Sequence, residues 1–216
     1  MNYSVIEEIG NRYKCACKRD FVLAPLTTME IGGKCGLFVA PNSEECLREV
    51  LGVCRSENIP FFLIGKGSNL LINRFDGVVI KIGGDLGGFR IDGNRVTAGA
   101  GGSLAALCSA AANEGLSGME CLYGIPGSVG GALYMNAGAY GGEMKDIVKS
   151  ARYVDGEGNI AEMSSGEMKL SYRHSVFSEN NFCILSVTLE LKRGDKDAIK
   201  AKMSEVVQKR REKQPL

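Results

Sequence analysis

The chain has 216 residues, 44% of them hydrophobic, and a formal net charge of +1 at pH 7. Its length allows one large domain or two small lobes, and its near-neutral charge gives no reason to expect nucleic acid or an anionic membrane as a partner. No apolar run approaches the roughly 20 residues that span a bilayer, and the N-terminus lacks a signal-peptide core, so we expect a cytoplasmic protein.

Two helices are predicted in the first 60 residues. Ser4-x-x-Glu7 has the pattern of a capping box, and a second helix is predicted to be capped by Asn42-x-x-Glu45. Apolar residues recur at helical spacing after both caps, so each helix is expected to bury one face. These residues are Val5, Ile6, Ile9 and Tyr13 in the first helix and Cys46, Leu47, Val50, Leu51 and Cys54 in the second.

The eight cysteines are expected to be reduced thiols, because the chain shows no export signal. Cys15-x-Cys17 has no metal-ligand partner nearby in the sequence, which favours two thiols on a helix over a metal site. His174 is the single histidine, so a zinc or iron centre has few ligands to use. We therefore predict no metal ion.

Strands around the second helix predict a β-α-β-β unit. Gly36–Ala40, the apolar run Phe61–Ile64 and Val78–Ile82 have the composition of strands. A new unit begins at Phe89–Ala98, where Asp92-Gly93-Asn94 has the pattern of a hairpin turn.

The rest of the chain continues the mixture of helices and strands. Ser103–Asn113 is an alanine-rich helix that should end at Gly115. Strands are predicted at Ile147–Asp155, Asn159–Met163 and Phe182–Leu191, with a helical turn at Ser165–Lys169. A last amphipathic helix is predicted at Asp195–Lys213, with Ile199, Met203, Val206 and Val207 on its apolar face.

The glycine-rich segment Gly124-Ile-Pro-Gly-Ser-Val-Gly-Gly-Ala132 predicts a phosphate-binding loop that leads into a helix. Ser128 is suited to cap a helix from Val129 to Met135, whose first N–H groups and positive dipole end would point at the loop. A diphosphate is the natural ligand of such a loop. The alternative is a glycine-rich turn that only packs closely against a helix.

A second glycine loop, Gly65-Lys66-Gly67-Ser68-Asn69, follows the strand at Phe61–Ile64. Successive N–H groups in such a turn can form an anion-binding nest. The loop matches neither a Walker A motif nor a Rossmann fingerprint, and Gly99-Ala100-Gly101-Gly102-Ser103 fails the same test. Two α+β lobes that each offer a glycine loop predict a nucleotide cofactor in the cleft between them.

Five ordered motifs together resemble the UDP-N-acetylenolpyruvoylglucosamine reductase family, flavoenzymes of bacterial peptidoglycan synthesis. The resemblance extends from about Thr27 to Leu216. The motifs are Gly65-x-Gly-Ser-Asn69, Gly124-Ile-Pro-Gly-Ser-Val-Gly-Gly-Ala132, Asn136-Ala-Gly-Ala-Tyr-Gly141, Tyr172-Arg-x-Ser175 and Arg210-Arg-x-Lys-Gln-Pro-Leu216.

The resemblance implies an α+β fold, a two-lobed FAD-binding domain of the p-cresol methylhydroxylase or vanillyl-alcohol oxidase type, with FAD held non-covalently. We expect residues 1–26 to form an N-terminal helix and lead-in, and residues 27–83 and 84–194 to form the two lobes. Residues 195–216 are expected to form the first helix of a substrate-binding domain whose remainder is absent. It further implies NADPH as hydride donor and UDP-N-acetylglucosamine enolpyruvate as the substrate to be reduced to UDP-N-acetylmuramate.

The resemblance also implies roles for individual residues. Arg173 matches the catalytic arginine, which binds the substrate carboxylate and stabilises enolate-like charge, and Tyr172 is expected beside the substrate. A surface salt bridge remains open for Arg173, and a core position for Tyr172. The implied cofactor-binding residues are Gly65, Lys66, Gly67, Ser68, Asn69, Gly124, Ile125, Pro126, Gly127, Ser128, Gly131, Ala132, Asn136, Gly138 and Gly141.

In one respect the chain departs from the family pattern. The family carries a Ser-x-Gly-Ser-x-Phe segment and a late Glu after Lys-Gln-Pro-Leu, whereas this sequence stops at Leu216. We therefore expect the flavin-binding part of the enzyme, without the proton donor. Two alternatives stay open: a flavin-binding module without turnover of its own, and another oxidoreductase of the same flavin fold.

Overall fold

A four-stranded sheet organises the first third of the chain. In the computed structural model, which describes residues 1–213, its strands follow the order β1-β2-β4-β3. The strands β2, β4 and β3 run parallel, and β1 joins β2 antiparallel at the edge. The strands are β1 (Ala16–Arg19), β2 (Cys35–Ala40), β3 (Phe61–Ile64) and β4 (Phe75–Lys81).

The predicted buried face of the helix that connects β2 to β3 is confirmed. In α2 (Glu44–Ser56), all five predicted inward-facing residues are buried. The predicted cap is wrong by one position: Ser43 Oγ accepts the N–H of Cys46 at 3.1 Å. Asn42 instead donates its side-chain amide to the carbonyl of Tyr13 at 2.8 Å, so it ties α2 to the end of the preceding helix.

The first helix, α1 (Ser4–Tyr13), forms as predicted but is not capped by the predicted box. Ser4 is already helical, and Asn2 Oδ1 accepts its N–H at 3.0 Å. Glu7 does not reach back to the cap, because its carboxylate pairs with Arg19 at 2.6 Å. Val5 is exposed, whereas Ile6 and Ile9 are buried.

The two N-terminal thiols are not on a helix, contrary to our prediction. Cys15 follows α1, and Cys17 lies in β1 opposite Val39. β1 was not predicted from the sequence, because this edge strand is short and mostly exposed and shows no clean alternation. Within residues 1–213 no group of three or more histidine, cysteine or acidic side chains could hold a metal ion.

A five-stranded antiparallel sheet organises the second lobe, in the order β11-β10-β12-β6-β5. Its two flanking pairs are β7 with β13 and β8 with β9. The strands are β5 (Phe89–Asp92), β6 (Arg95–Gly99), β7 (Leu116–Ser117), β8 (Gly138–Ala139), β9 (Gly142–Glu143), β10 (Val148–Val154), β11 (Ile160–Ser164), β12 (Cys183–Glu190) and β13 (Lys192–Arg193).

Most predicted elements of this lobe are confirmed. Asp92 pairs with Arg95 across the two-residue hairpin turn. The helices are α3 (Leu104–Asn113), α4 (Val129–Tyr134), α5 (Val176–Asn180) and α6 (Lys196–Lys213). The predicted helical turn at Ser165–Lys169 is wrong, since it consists of turns without a helix. α5 was not predicted, because it is too short for a helical period of apolar residues to be visible in the sequence.

One hydrophobic cluster joins the two lobes. It includes Leu47 and Val50 from α2 as well as Leu107 from α3 and Val187 from β12. The predicted boundary at residues 83/84 falls between the two sheets, although β1 brings residues 16–19 into the first sheet. No helix within residues 1–213 is both long enough and apolar enough to cross a membrane.

Helix α4 packs closely on the end of β6, and this contact requires a glycine. A Cβ on Gly130 would lie 2.6 Å from the Cβ of Ala100 and 3.1 Å from its backbone. Gly130 also donates its N–H to the carbonyl of Ala100 at 2.8 Å. The backbone of α4 therefore lies directly against the second sheet.

The substitution Gly130→Ala should lower the free energy of unfolding by about 1–3 kcal/mol, because the added methyl overpacks this contact. Gly52→Ala is the matched control, since Gly52 lies inside α2 with no atom within 4 Å of an added Cβ. That substitution should stabilise the chain by up to about 1 kcal/mol through helix propensity. Urea unfolding of both variants measures the difference, and equal signs would contradict the packing argument.

Candidate functional site

A cavity of about 570 Å³ lies between the two lobes, a size typical of small-molecule and cofactor sites. The first lobe contributes β3 and the loop that follows it. The second contributes the loop before α4, α4 itself, the β8–β9 hairpin and the start of β12. The predicted location of the site, in the cleft between two glycine loops, therefore agrees with the position of this cavity.

Most of the predicted site residues come together on the cavity wall, but four do not. Gly124, Asn136, Gly141 and Tyr172 lie outside the lining. The predicted residues that line the cavity are Gly65, Lys66, Gly67, Ser68, Asn69, Ile125, Pro126, Gly127, Ser128, Gly131, Ala132, Gly138 and Arg173.

The two glycine loops touch each other across the cleft. A Cβ on Gly65 would overlap the hydroxyl of Ser128. The two loops can therefore come this close only because position 65 is a glycine. On the cavity side there is more room, because a Cβ on Gly127 would meet no atom nearer than Ser68 Oγ at 3.9 Å. The loops thus form a continuous backbone surface at one end of the cavity.

The amide groups at the start of α4 are not free, contrary to our prediction. Val129 donates to the carbonyl of Gly102 at 2.9 Å, and Gly130 to that of Ala100. Ser128 caps the helix as predicted, since its Oγ accepts the N–H of Gly131 at 3.2 Å. The N–H groups of Val129 and Gly130 thus fix α4 on the second lobe, and that of Gly131 is taken by the cap, so none of the three is free to bind a ligand.

The amide groups of the loops themselves remain available. Within residues 1–213, the N–H groups of Gly65 through Asn69, Gly127 and Ser128 donate to no protein acceptor. Successive unpaired amides in a turn form a concave site for an anion. The anion-binding surface is therefore provided by the loop backbones and not by the helix end.

Four cations lie in or beside the cavity. Lys66 Nζ donates to Ser103 Oγ at 2.8 Å, and Lys81 Nζ donates to the carbonyl of Gly65. Burial lowers the pKa of Lys81, and the charge of Lys66 lowers it further. Arg173 and Arg210 line the cavity. In the described part of the chain no carboxylate forms an ion pair with any of these four, so the cavity favours an anionic ligand.

Arg173 lies at the tip of a tight turn. Ser171 and His174 exchange two backbone hydrogen bonds of 3.2 Å, and Arg173 has a φ of 55°. Its guanidinium carbon is 5.9 Å from the centroid of the Tyr172 ring, which is 84% exposed. A core position for Tyr172 is therefore wrong. The described residues also provide no salt-bridge partner for Arg173.

Sequence reasoning missed much of the apolar wall and two of the four cations, Lys81 and Arg210. Tyr134, Met135 and Phe182 line the cavity with flat or flexible apolar side chains. Arg210 could have been found, because it opens the closing motif quoted above. The last three residues of that motif, 214–216, lie outside the described residues.

Comparison with known proteins agrees with this geometry. A family model described as an FAD binding domain matches residues 36–164. The enzyme named UDP-N-acetylenolpyruvoylglucosamine reductase in Lachnoclostridium phytofermentans is 40% identical over 225 residues, covering 100% of this chain and 72% of the relative. The chain belongs to this reductase family. It therefore contains an FAD-binding domain.

Other matches extend the comparison to structure and length. The reductase of Thermus caldophilus has a crystal structure that matches with a TM-score of 0.80 and 31% identity, covering 94% of this chain and 71% of that one. The similarly named protein of Clostridium novyi is 40% identical over 201 residues, 92% of this chain. The chain spans 65% of that relative's length.

The predicted fold class is confirmed. Besides the family model, a cholesterol oxidase of Brevibacterium sterolicum matches with a TM-score of 0.64 at 14% identity, which shows the fold alone. The chain is thus an α+β, two-lobed flavin-binding domain of the p-cresol methylhydroxylase or vanillyl-alcohol oxidase type.

Gly127→Val should weaken FAD binding at least tenfold without unfolding the chain. A Cβ added at Gly127 would clash with no protein atom. The branched side chain of valine would instead occupy the space in the cavity where we expect the diphosphate. Titration of FAD, followed by quenching of flavin fluorescence, measures the change.

Gly88→Val is the matched control, since Gly88 is exposed, lies outside the cavity and has no atom within 4 Å of an added Cβ. FMN, which lacks the adenosine phosphate, should bind more weakly than FAD to the unmodified chain and lose less on substitution. Equal loss of affinity in both variants would contradict the location of the diphosphate.

Proposed function

We propose that this chain forms the flavin site of an enzyme that reduces UDP-N-acetylglucosamine enolpyruvate to UDP-N-acetylmuramate with NADPH. The observation that carries the proposal is the position of Arg173, which lines the same cavity as the two glycine loops in a member of the reductase family. Reduction of the enolpyruvyl double bond adds one hydride and one proton, and oxidises one NADPH to NADP⁺.

The residues of the cavity fit FAD, held without a covalent bond. We assign the diphosphate to the unpaired amides of the Gly65–Asn69 loop and of Gly127 and Ser128. Lys66 lies close enough to add positive charge there. The apolar side of the cavity offers Tyr134, Met135 and Phe182 to the flavin and adenine rings. When bound, FAD carries the hydride from NADPH to the substrate.

Arg173 is assigned to the substrate carboxylate. Its planar guanidinium can donate two parallel hydrogen bonds to a carboxylate, and its charge is not spent on an ion pair within residues 1–213. Negative charge builds on the carboxylate when hydride adds to the terminal methylene carbon, because the electron pair of the double bond then moves to the carbon bonded to the carboxylate, which afterwards takes the proton. This contact is therefore stronger in the transition state than in the ground state. Arg210 adds a second guanidinium to the same cavity, suited to a phosphate.

A cytoplasmic location and a small UDP-sugar substrate belong to the same proposal. All eight cysteines are free thiols in the structure, as expected of a reducing compartment. The near-neutral net charge gives no reason to propose nucleic acid as a partner.

The competing function is a flavin-binding domain that has no turnover of its own. Substrate-dependent oxidation of NADPH, measured in a chain extended to the full length of its relatives, separates the two. Consumption of NADPH in proportion to the enolpyruvyl substrate supports the proposal, whereas FAD binding without such consumption supports the binding domain.

Arg173→Lys, in a chain restored to full length, tests the assigned role. Lysine keeps the charge but loses the two-pronged contact, so we expect oxidation of the reduced flavin by the enolpyruvyl substrate to slow by roughly 10²–10³-fold. Reduction of the flavin by NADPH should remain near normal. Stopped-flow absorbance measures the two half-reactions separately.

The control is Arg90→Lys, which makes the same substitution at an exposed arginine paired with Asp92 outside the cavity. It should change neither half-reaction. Equal slowing of both half-reactions in the Arg173 variant would show that Arg173 does not act on the substrate carboxylate.

A further inference from the structure

Asn136, predicted to bind the cofactor, is instead enclosed in the protein beneath the turn that carries Arg173. It is 3% exposed, and every polar atom of its side chain is engaged. Its Nδ2 donates to Glu143 Oε2 at 2.7 Å and to the carbonyl of Ser171 at 2.9 Å. Its Oδ1 accepts the N–H of Lys145 at 2.9 Å.

The partners leave only one orientation for this amide. Lys145 Nζ and Asn136 both hydrogen-bond Glu143, which lowers the pKa of that carboxyl and keeps it an acceptor. The Ser171 carbonyl can only accept, and the Lys145 N–H can only donate. The site therefore needs a side chain with two donor hydrogens and one acceptor oxygen. Asparagine meets this requirement, and aspartate of the same shape does not.

The contact with Ser171 holds the first residue of the Arg173 turn. Ser171 and His174 close the turn, and Arg173 projects from its tip into the cavity wall. A second anchor follows the turn, where Ser175 Oγ donates to the carbonyl of Tyr134 at 2.7 Å and is fully buried. The turn is thus fixed at both ends to the segment that leaves α4.

That segment also forms part of the cavity wall. Tyr134, Met135 and Ala137, on either side of Asn136, line the cavity, whereas Asn136 points away from it. One short stretch of backbone therefore sets the distance between the ligand and the arginine.

We propose that Asn136 is a positioning residue for Arg173, which it holds in register with the cavity through the Ser171 carbonyl. The functional side of this inference rests on the proposed role of Arg173. Its structural side, the ordering of the turn, does not.

The test compares three variants of the full chain with FAD bound. Asn136→Asp removes both donor hydrogens and places a second carboxylate beside Glu143. Glu143→Gln alone keeps an acceptor for Asn136 and leaves the Ser171 contact intact. The double variant Asn136→Asp/Glu143→Gln restores a donor between positions 136 and 143 and removes the repulsion. Both it and Glu143→Gln lose the ion pair with Lys145, so the double variant differs from Glu143→Gln by the missing donor to Ser171.

Trypsin cleavage after Arg173, followed by mass spectrometry, reports how often the turn opens. We expect cleavage to be about tenfold faster in Asn136→Asp and in the double variant, as for loss of one buried hydrogen bond. Glu143→Gln should behave as the unmodified chain. Cleavage after Arg90, in the distant β5–β6 hairpin, is the internal reference and should not change.

The pattern of rescue distinguishes positioning from general stability. Recovery of slow cleavage in the double variant would overturn the proposal, because it would show that only the pairing with Glu143 matters. A parallel rise at Arg90 would overturn it too, because the whole chain would then be loosened. If Asn136→Asp does not fold, comparison of the cleavage rates of the double variant and of Glu143→Gln still tests the proposal.

The catalytic readout is the rate of each half-reaction, measured in the chain extended to the full length of its relatives. In the double variant, FAD affinity should stay within about twofold and reduction by NADPH should be unchanged, while oxidation by the enolpyruvyl substrate slows by about tenfold or more. Unchanged oxidation despite faster cleavage at Arg173 would overturn the positioning role. An unmodified chain that shows no substrate-dependent oxidation would instead count against the proposed function, and the cleavage pattern would still decide the ordering of the turn.

Discussion

The close contact between Gly65 and Ser128 is the constraint on which the site depends. The hydroxyl of Ser128 accepts the N–H of Gly131 inside the second lobe, and the same oxygen occupies the space that a Cβ on Gly65 would need. At this point of the cleft, the backbone of the first lobe can approach the second only where it carries no side chain. This contact sets the width of the cleft, and it brings both sets of loop amides to one end of the cavity.

The way α4 is anchored determines how the site can bind an anion. A helix end with free amides would be the simplest phosphate site, but here Gly102, Ala100 and the Ser128 side chain accept those hydrogens. Because these bonds occupy the amides at the start of α4, the amides that remain available to an anion are those of the loops. The site therefore relies on turn amides and on Lys66 and Lys81. Lys81 is held at the Gly65 carbonyl although burial disfavours its charge, so the protein already bears the cost of placing a cation beside the anion site.

Local patterns in the sequence predicted several features that depend on neighbouring residues, although both predicted capping boxes were wrong. The five-residue inner face of α2, the hairpin turn before Arg95 and the cap at Ser128 each depend on neighbours within four residues, and all three are present. β1 could not be predicted in this way, because it forms only by pairing with β2, which lies about 20 residues later in the chain. The glycine loops indicated the location of the site, but the partners of the α4 amides depend on Ala100 and Gly102, which no local pattern connects to them.

The motif Asn136-Ala-Gly-Ala-Tyr-Gly141 shows why a site motif is not a list of ligand contacts. Ala137, Gly138, Ala139 and Tyr140 line the cavity, whereas the most polar residue of the motif is turned inwards. A buried amide with three partners is costly to replace, because each partner would lose a hydrogen bond that water cannot supply. Such a residue is under as much chemical constraint as a ligand-binding one. The burial and the bonding partners of Asn136, and not its place in the motif, therefore connect it to Arg173.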